Sequence, residues 1–141
     1  MEMNWGKFAL AVAGAAIAGS FTDWLFFGVI FHNKYMMHPE VWKKREKGEG
    51  AQIAFSSVVG LLATAAFLVL CIGLRIDTNS AALKLAFCVW LVGTVPVIVN
   101  EHIFMKLHPA LFVTHTIGWL VRFELAAVAW MLVAIQKAPV T

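Results

Sequence analysis

Residues 51–74 read AQIAFSSVVGLLATAAFLVLCIGL, a stretch without Asp, Glu, Lys, Arg or His. At 1.5 Å per residue, a helix needs about 20 apolar residues to cross the ~30 Å hydrocarbon core of a bilayer. This stretch is long enough to cross. It also lacks the charged face of a helix that lies on a soluble core. Working outward, residues 8–31, 81–104 and 110–135 meet the same length with few charges. The polar breaks between them are residues 32–50, 75–80 and 105–109. The last two are tight turns, which make sequential helices antiparallel neighbours. The reading is an all-α polytopic membrane protein, one bundle of four transmembrane helices filling a single domain over 1–141.

Composition agrees. The chain is 61% hydrophobic and 13% charged, against about 25% charged in an ordinary soluble domain. Its mean hydropathy is +0.80. The net charge of +3 is modest. Lys34, Lys43, Lys44, Arg45 and Lys47 crowd into the first connection, which suits an anionic membrane surface. Nothing in the arrangement of aromatic and basic residues suggests a base-stacking surface, so nucleic acid is not an expected partner.

The apolar run after Lys7 exceeds the roughly 7–15 residues of a signal-peptide core. Ala16-Ile17-Ala18 resembles a cleavage site, but the apolar continuation over 21–31 predicts that the segment stays as an anchor. Pro39-Glu40-Val41-Trp42 reads as the start of a short interfacial helix, with Pro in the first helical position. The basic residues of the first connection, with Lys106, outnumber Lys7, Arg75, Lys84 and Lys137 on the opposite side. By the positive-inside rule the 32–50 loop faces the cytoplasm and both termini face out. Trp5, Trp42 and Trp130 fall near span ends, as interfacial anchors do. Cys71 and Cys88 lie inside apolar runs without CxxC or His spacing and read as buried bystanders.

The residues that carry chemistry are the ionisable ones at membrane depth. Each charge there costs at least ~2.5–3.5 kcal/mol, so such groups face the protein interior and are functional candidates. From the helical rise, Glu101 lies roughly 5 Å from the loop-side end of its span, His115 roughly 8 Å, Asp23 roughly 12 Å and Arg122 roughly 18 Å. Residues seven apart nearly eclipse on a helix. His108, His115 and Arg122 therefore share a stripe, with Gly118 between the last two. Gly19, Asp23 and Phe26 lie together on the first span, and Trp90, Val97 and Glu101 on the third, with Thr94 alongside. The expectation is one polar column in which Asp23 and Arg122 pair. Asp23 with His115, and Arg122 with Glu101, are the other pairings weighed. A purely structural ion pair is the plain reading of the same residues. His32, His38, His102, His108 and His115 are numerous enough for zinc, but no HxxxH or HxxE…H spacing occurs, so no metal site is assigned. Pro96 removes a helix bond and frees the carbonyl four residues earlier, at Val92.

Several short marks carry a family resemblance. Asn4-Trp5 opens a small-residue helix that Phe31 closes, and Trp42 follows after a short gap. Further on come Trp90-Leu91-Val92-Gly93, Asn100, and Phe112 leading to Trp119-Leu120-Val121. In these marks, over nearly its whole length, the chain resembles domain-of-unknown-function family 1761, small bacterial four-helix membrane proteins. The resemblance implies the fold and topology, and a bacterial inner membrane as the location. It implies no activity.

Two functions compete. The first is a protein that binds or acts on a lipophilic small molecule, with proton-transfer or isomerase chemistry. In it Asp23 or Glu101 is acid or base, His115 the proton partner and Arg122 the charge stabiliser. Trp24, Trp90, Asn100 and Trp119 are the ligand-binding candidates, since an apolar pocket with a few convergent polar groups is the common site pattern. The second is an accessory subunit of a larger membrane complex or a homo-oligomer. Glu124 lies about half a turn round the helix from His115 and so faces away from the interior, toward a partner. Membrane lipid is a neighbour on either reading. No cofactor is identified.

Overall fold

The computed structural model describes residues 4–37, 39–41, 50–105 and 108–134, and every regular element among them is helical. Four helices are long and apolar enough to cross a membrane. They are Trp5–Ile30, Gly50–Gly73, Asn79–Phe104 and Pro109–Ala134, referred to below as the first to fourth spans. The protein is a multi-pass integral membrane protein. A short helix, His32–Met36, follows the first span. The expected interfacial helix is a single 3-10 turn over Pro39–Val41 among the described residues. His38, Trp42, Lys43, Lys44, Arg45, Lys47, Lys106 and Lys137 lie outside the described residues, so the basic loop and the Trp42 anchor remain expectations.

Local chemistry sets the helix ends. Asn4 Oδ1 accepts the Lys7 N–H at 3.1 Å and starts the first span. Thr78 Oγ1 accepts the Ala81 N–H at 3.3 Å and starts the third two residues earlier than the apolar pattern indicates. His108 Nδ1 accepts the Ala110 N–H at 3.1 Å, with Pro109 in the first helical position of the fourth. His108 therefore caps the start of the fourth span. The second span ends in a Schellman motif: Ile76 N–H bonds Cys71 O at 2.9 Å and Arg75 N–H bonds Ile72 O at 3.0 Å. The left-handed residue of that motif is Arg75, with φ of 54°. A side chain pays a steric penalty there that glycine avoids. Arg75→Gly is expected to stabilise the protein by about 0.5–1 kcal/mol, read as a raised thermal midpoint in detergent; a lowered midpoint would show that the Arg75 side chain has a compensating role.

The fourth span is the hub. It packs against each of the other three, whereas the third barely touches the second. Of its apolar stretch 39% is buried, against 17%, 28% and 17% for the first three spans. In lipid, apolar burial does not drive helices together; close packing of small residues does. The first span presents Ala11, Ala15 and Gly19 at four-residue spacing, all buried, and the same row continues to Asp23. The fourth span presents Gly118, Arg122, Ala126 and Trp130 at the same spacing, also buried. Ala82 and Ala86 of the third span are fully buried as well. These contacts gather in the half of the bundle near the termini, around Phe67, Leu68 and Cys71. Trp130 belongs to this core at 4% exposure and donates its indole N–H to Ile76 O at 3.1 Å, tying the fourth span to the turn after the second. Its expected role as an interfacial anchor is thereby corrected. Cys71 is buried as expected, but Cys88 is exposed on the third span.

The other half, nearer residues 32–50, is open. Residues 51–59 of the second span are all exposed. Two spans here contain wide turns with i→i+5 bonding. One covers Trp24–Ile30, directly after Asp23. The other covers Trp90–Thr94, ending two residues before Pro96, with Val95 N–H bonding Trp90 O. Such turns frequently occur at functional sites. The second accounts for how the helix runs into Pro96 without an abrupt break. Hydroxyls in the spans are satisfied locally: Thr22, Ser57, Thr64, Thr114 and Thr116 each donate to the carbonyl four residues earlier.

Candidate functional site

Arg122 is the centre of the polar cluster. Its side chain leaves the fourth span between two glycines on facing helices. A Cβ on Gly60 of the second span would stand 2.4 Å from Arg122 Nη1 and 2.7 Å from Cζ. A Cβ on Gly19 of the first span would stand 3.0 and 3.1 Å from the same atoms. The guanidinium thus occupies volume that any other residue at position 60 would take. Its Nη2 donates to Asp23 Oδ2 in an ion pair. The pair expected from depth and helical face is therefore the one formed. The Trp119 ring lies 5.6 Å from Arg122 Cζ, within reach for a cation–π contact. Arg122 is 4% exposed, and among the described residues Nη1 has no hydrogen-bond partner.

Beside the pair is a cleft of about 100 Å³ between the first, second and fourth spans. Asp23, Phe27, Ser56, Val59, Gly60, His115, Gly118, Trp119 and Arg122 line it. His115 stands open in it, with the Phe27 ring centroid at 4.9 Å and that of Tyr35 at 6.3 Å. Tyr35, the only tyrosine, folds back on the helix His32–Met36. Its ring packs edge-on against Phe27 at 5.3 Å. Burial pushes the ionisation of its phenol above the usual range. It stays a neutral hydroxyl at any working pH.

A second recess of about 340 Å³ lies between the third and fourth spans, lined by Gly93, Thr94, Val97, Ile98, Glu101, His115 and Trp119. The wide turn over Trp90–Thr94 forms its deep end. His115 and Trp119 line both recesses. The single polar column expected from sequence is thus divided by these two side chains. Asp23 and Arg122 belong to one side and Glu101 to the other.

The remaining candidates sit elsewhere. Trp24 is 59% exposed and stacks on Phe21 at 5.6 Å. Trp90 donates its indole N–H to Thr116 O at 2.8 Å, a tie between the third and fourth spans. Asn100 is exposed and lines neither recess. His102 stacks on Phe112 at 4.9 Å, and His32 is exposed. Among the described residues, no three His, Cys, Asp or Glu side chains gather to hold a metal ion. Sequence reasoning missed Phe27, Tyr35, Ser56 and Gly60. Tyr35 and Ser56 lack charge, so no cost of burial marks them. Gly60 is marked only as a break in the apolar run of the second span.

The arrangement offers a buried cation whose Nη1 has no partner among the described residues, a carboxylate fixed against its Nη2, and an imidazole open to the same space. That set can hold a polar group and exchange a proton with it. No curated protein and no solved structure matches the chain. A family profile does match, over residues 10–131, as the marks around Trp90-Leu91-Val92-Gly93 and Trp119-Leu120-Val121 imply. The chain belongs to the family described as protein of unknown function DUF1761.

Proposed function

We infer that the protein binds, and acts by proton transfer on, a lipophilic small molecule whose polar end enters the Asp23–Arg122–His115 cleft. The observation that carries this reading is Arg122 Nη1, buried beside a cavity with no partner among the described residues. A donor left unpaired in a poorly solvated site costs several kcal/mol by order of magnitude, and a ligand acceptor would recover it. About 100 Å³ holds a polar head of a few atoms. The apolar remainder then lies along the exposed residues 51–59, open to lipid. Asp23 is the acid or base of this reading, His115 the proton partner and Arg122 the charge stabiliser. Glu101 and His115 both line the second recess. Purification in mild detergent with mass spectrometry of bound lipophilic compounds tests the reading. Wild type is expected to carry one compound at fixed ratio, and Ser56→Trp, which fills the cleft from an exposed position, to lose it. Equal retention by both proteins sinks the proposal.

Glu124 favours a second reading, a contact with another protein or another copy of this chain. It is half-buried near the middle of the fourth span, and no hydrogen bond or ion pair holds it among the described residues. An acid there is costly if lipid is its only neighbour. Glu124→Leu is expected to reduce assembly size in native gels; unchanged size together with unchanged stability would remove the contact.

A further inference from the structure

The recess between the third and fourth spans has a chemistry of its own. Among the described residues that line it, Glu101 is the one acidic side chain and there is no Lys or Arg. Arg122, the nearest buried cation, is committed to Asp23 on the far side of Trp119. Glu101 is exposed and makes no ion pair among the described residues. Glu101 and Gly93 are eight residues apart, or about 12 Å along the helix. The recess therefore runs from the headgroup level near the end of the span toward the middle of the membrane. Val97 and Ile98 supply apolar wall, and the Trp119 ring supplies a face that attracts cations. A Cβ on Gly93 would meet nothing within 4 Å, so the deep end is open space.

We propose that this recess binds a lipophilic amine, its ammonium group held between the Glu101 carboxylate and the His115 ring and its apolar chain lying toward Gly93. Charge complementarity selects the amine. A carboxylate with no Lys or Arg beside it among the described residues repels an anionic head and gives a neutral alcohol only a weak bond. An ammonium N–H instead makes a charge-assisted hydrogen bond to Glu101. His115 adds a ring nitrogen that accepts a second N–H. The proposal shares His115 with the Asp23–Arg122 cleft but takes its charge contact from Glu101, which lines only this recess.

The test is a titration of the purified protein, in a fixed concentration of mild nonionic detergent, with dodecylamine, dodecanol and dodecanoate. Thermal stability is the readout. Dodecylamine is expected to raise the midpoint saturably, and the alcohol and the carboxylate to leave it unchanged. Glu101→Gln is expected to weaken the apparent affinity for the amine at least tenfold. Gly93→Leu, which fills the open end without a clash, is expected to abolish the shift. Ser56→Trp is expected to retain it, because that change fills only the other cleft. Equal stabilisation by dodecylamine and dodecanol would overturn the proposal. So would wild-type amine affinity in Glu101→Gln, or loss of the shift in Ser56→Trp. The first proposed function fails separately, by retention of its compound in Ser56→Trp.

Discussion

Asp23→Asn is expected to destabilise the protein by about 3–5 kcal/mol, the usual cost of stranding one member of a buried ion pair. Arg122→Gln is expected to cost less. The asymmetry follows from the two groups. Arg122 is 5% exposed in its side chain and Asp23 34%, so losing the aspartate strands the more buried charge. A guanidinium also cannot shed its proton at any working pH, whereas a stranded carboxylate can take one up. The double variant removes both charges and is expected to fall short of the summed single costs by roughly 1–3 kcal/mol. Unfolding free energies of the four proteins in mixed micelles measure this. Strict additivity would show that each residue acts without the other. Strong coupling alongside undiminished ligand binding in both single variants would make the pair structural and remove the main support for a polar site.

Gly60→Ala is expected to cost about 1–3 kcal/mol, the range typical of adding a methyl group to a packed core. The methyl group would enter the space held by Nη1, 2.4 Å away. The guanidinium must shift to make room, and the shift loosens its bond to Asp23. In an Arg122→Gln background the same methyl group has room, and the cost is expected to fall below about 1 kcal/mol. Gly14→Ala is the control: its Cβ would meet nothing within 4 Å, and the change is expected to stay within about 0.5 kcal/mol. The same unfolding measurement decides, and an equal cost for Gly60→Ala in both backgrounds would mean the slot does not hold Arg122.

The four spans were legible because lipid imposes a rule that acts residue by residue. An uninterrupted apolar stretch such as 51–74 has one stable placement, and its ends need only a polar break. The pairing of Asp23 with Arg122 was legible for a related reason. Depth follows from helical rise and face from helical period, and a charge at depth must find its opposite. Cap chemistry shifted the third span's start to Asn79, because Thr78 supplies the first acceptor.

What the tertiary structure decided is how the helices approach one another. Apolar stretches in lipid are equally soluble on every face, so composition does not say which face meets which neighbour. Trp130 reads the same from sequence whether it anchors at the interface or fills the core; only the turn after the second span, offering Ile76 O, places it inside. Trp119 and His115 likewise read as members of one column. The wide turn at Trp90–Thr94 and the exposed start of the second span leave a recess on each side of them. Sequence determined that the polar side chains lie at membrane depth in one half of the chain's span. The packing of Gly19 and Gly60 around Arg122 determined which of them meet, because that contact depends on the missing side chains of two residues on two other helices.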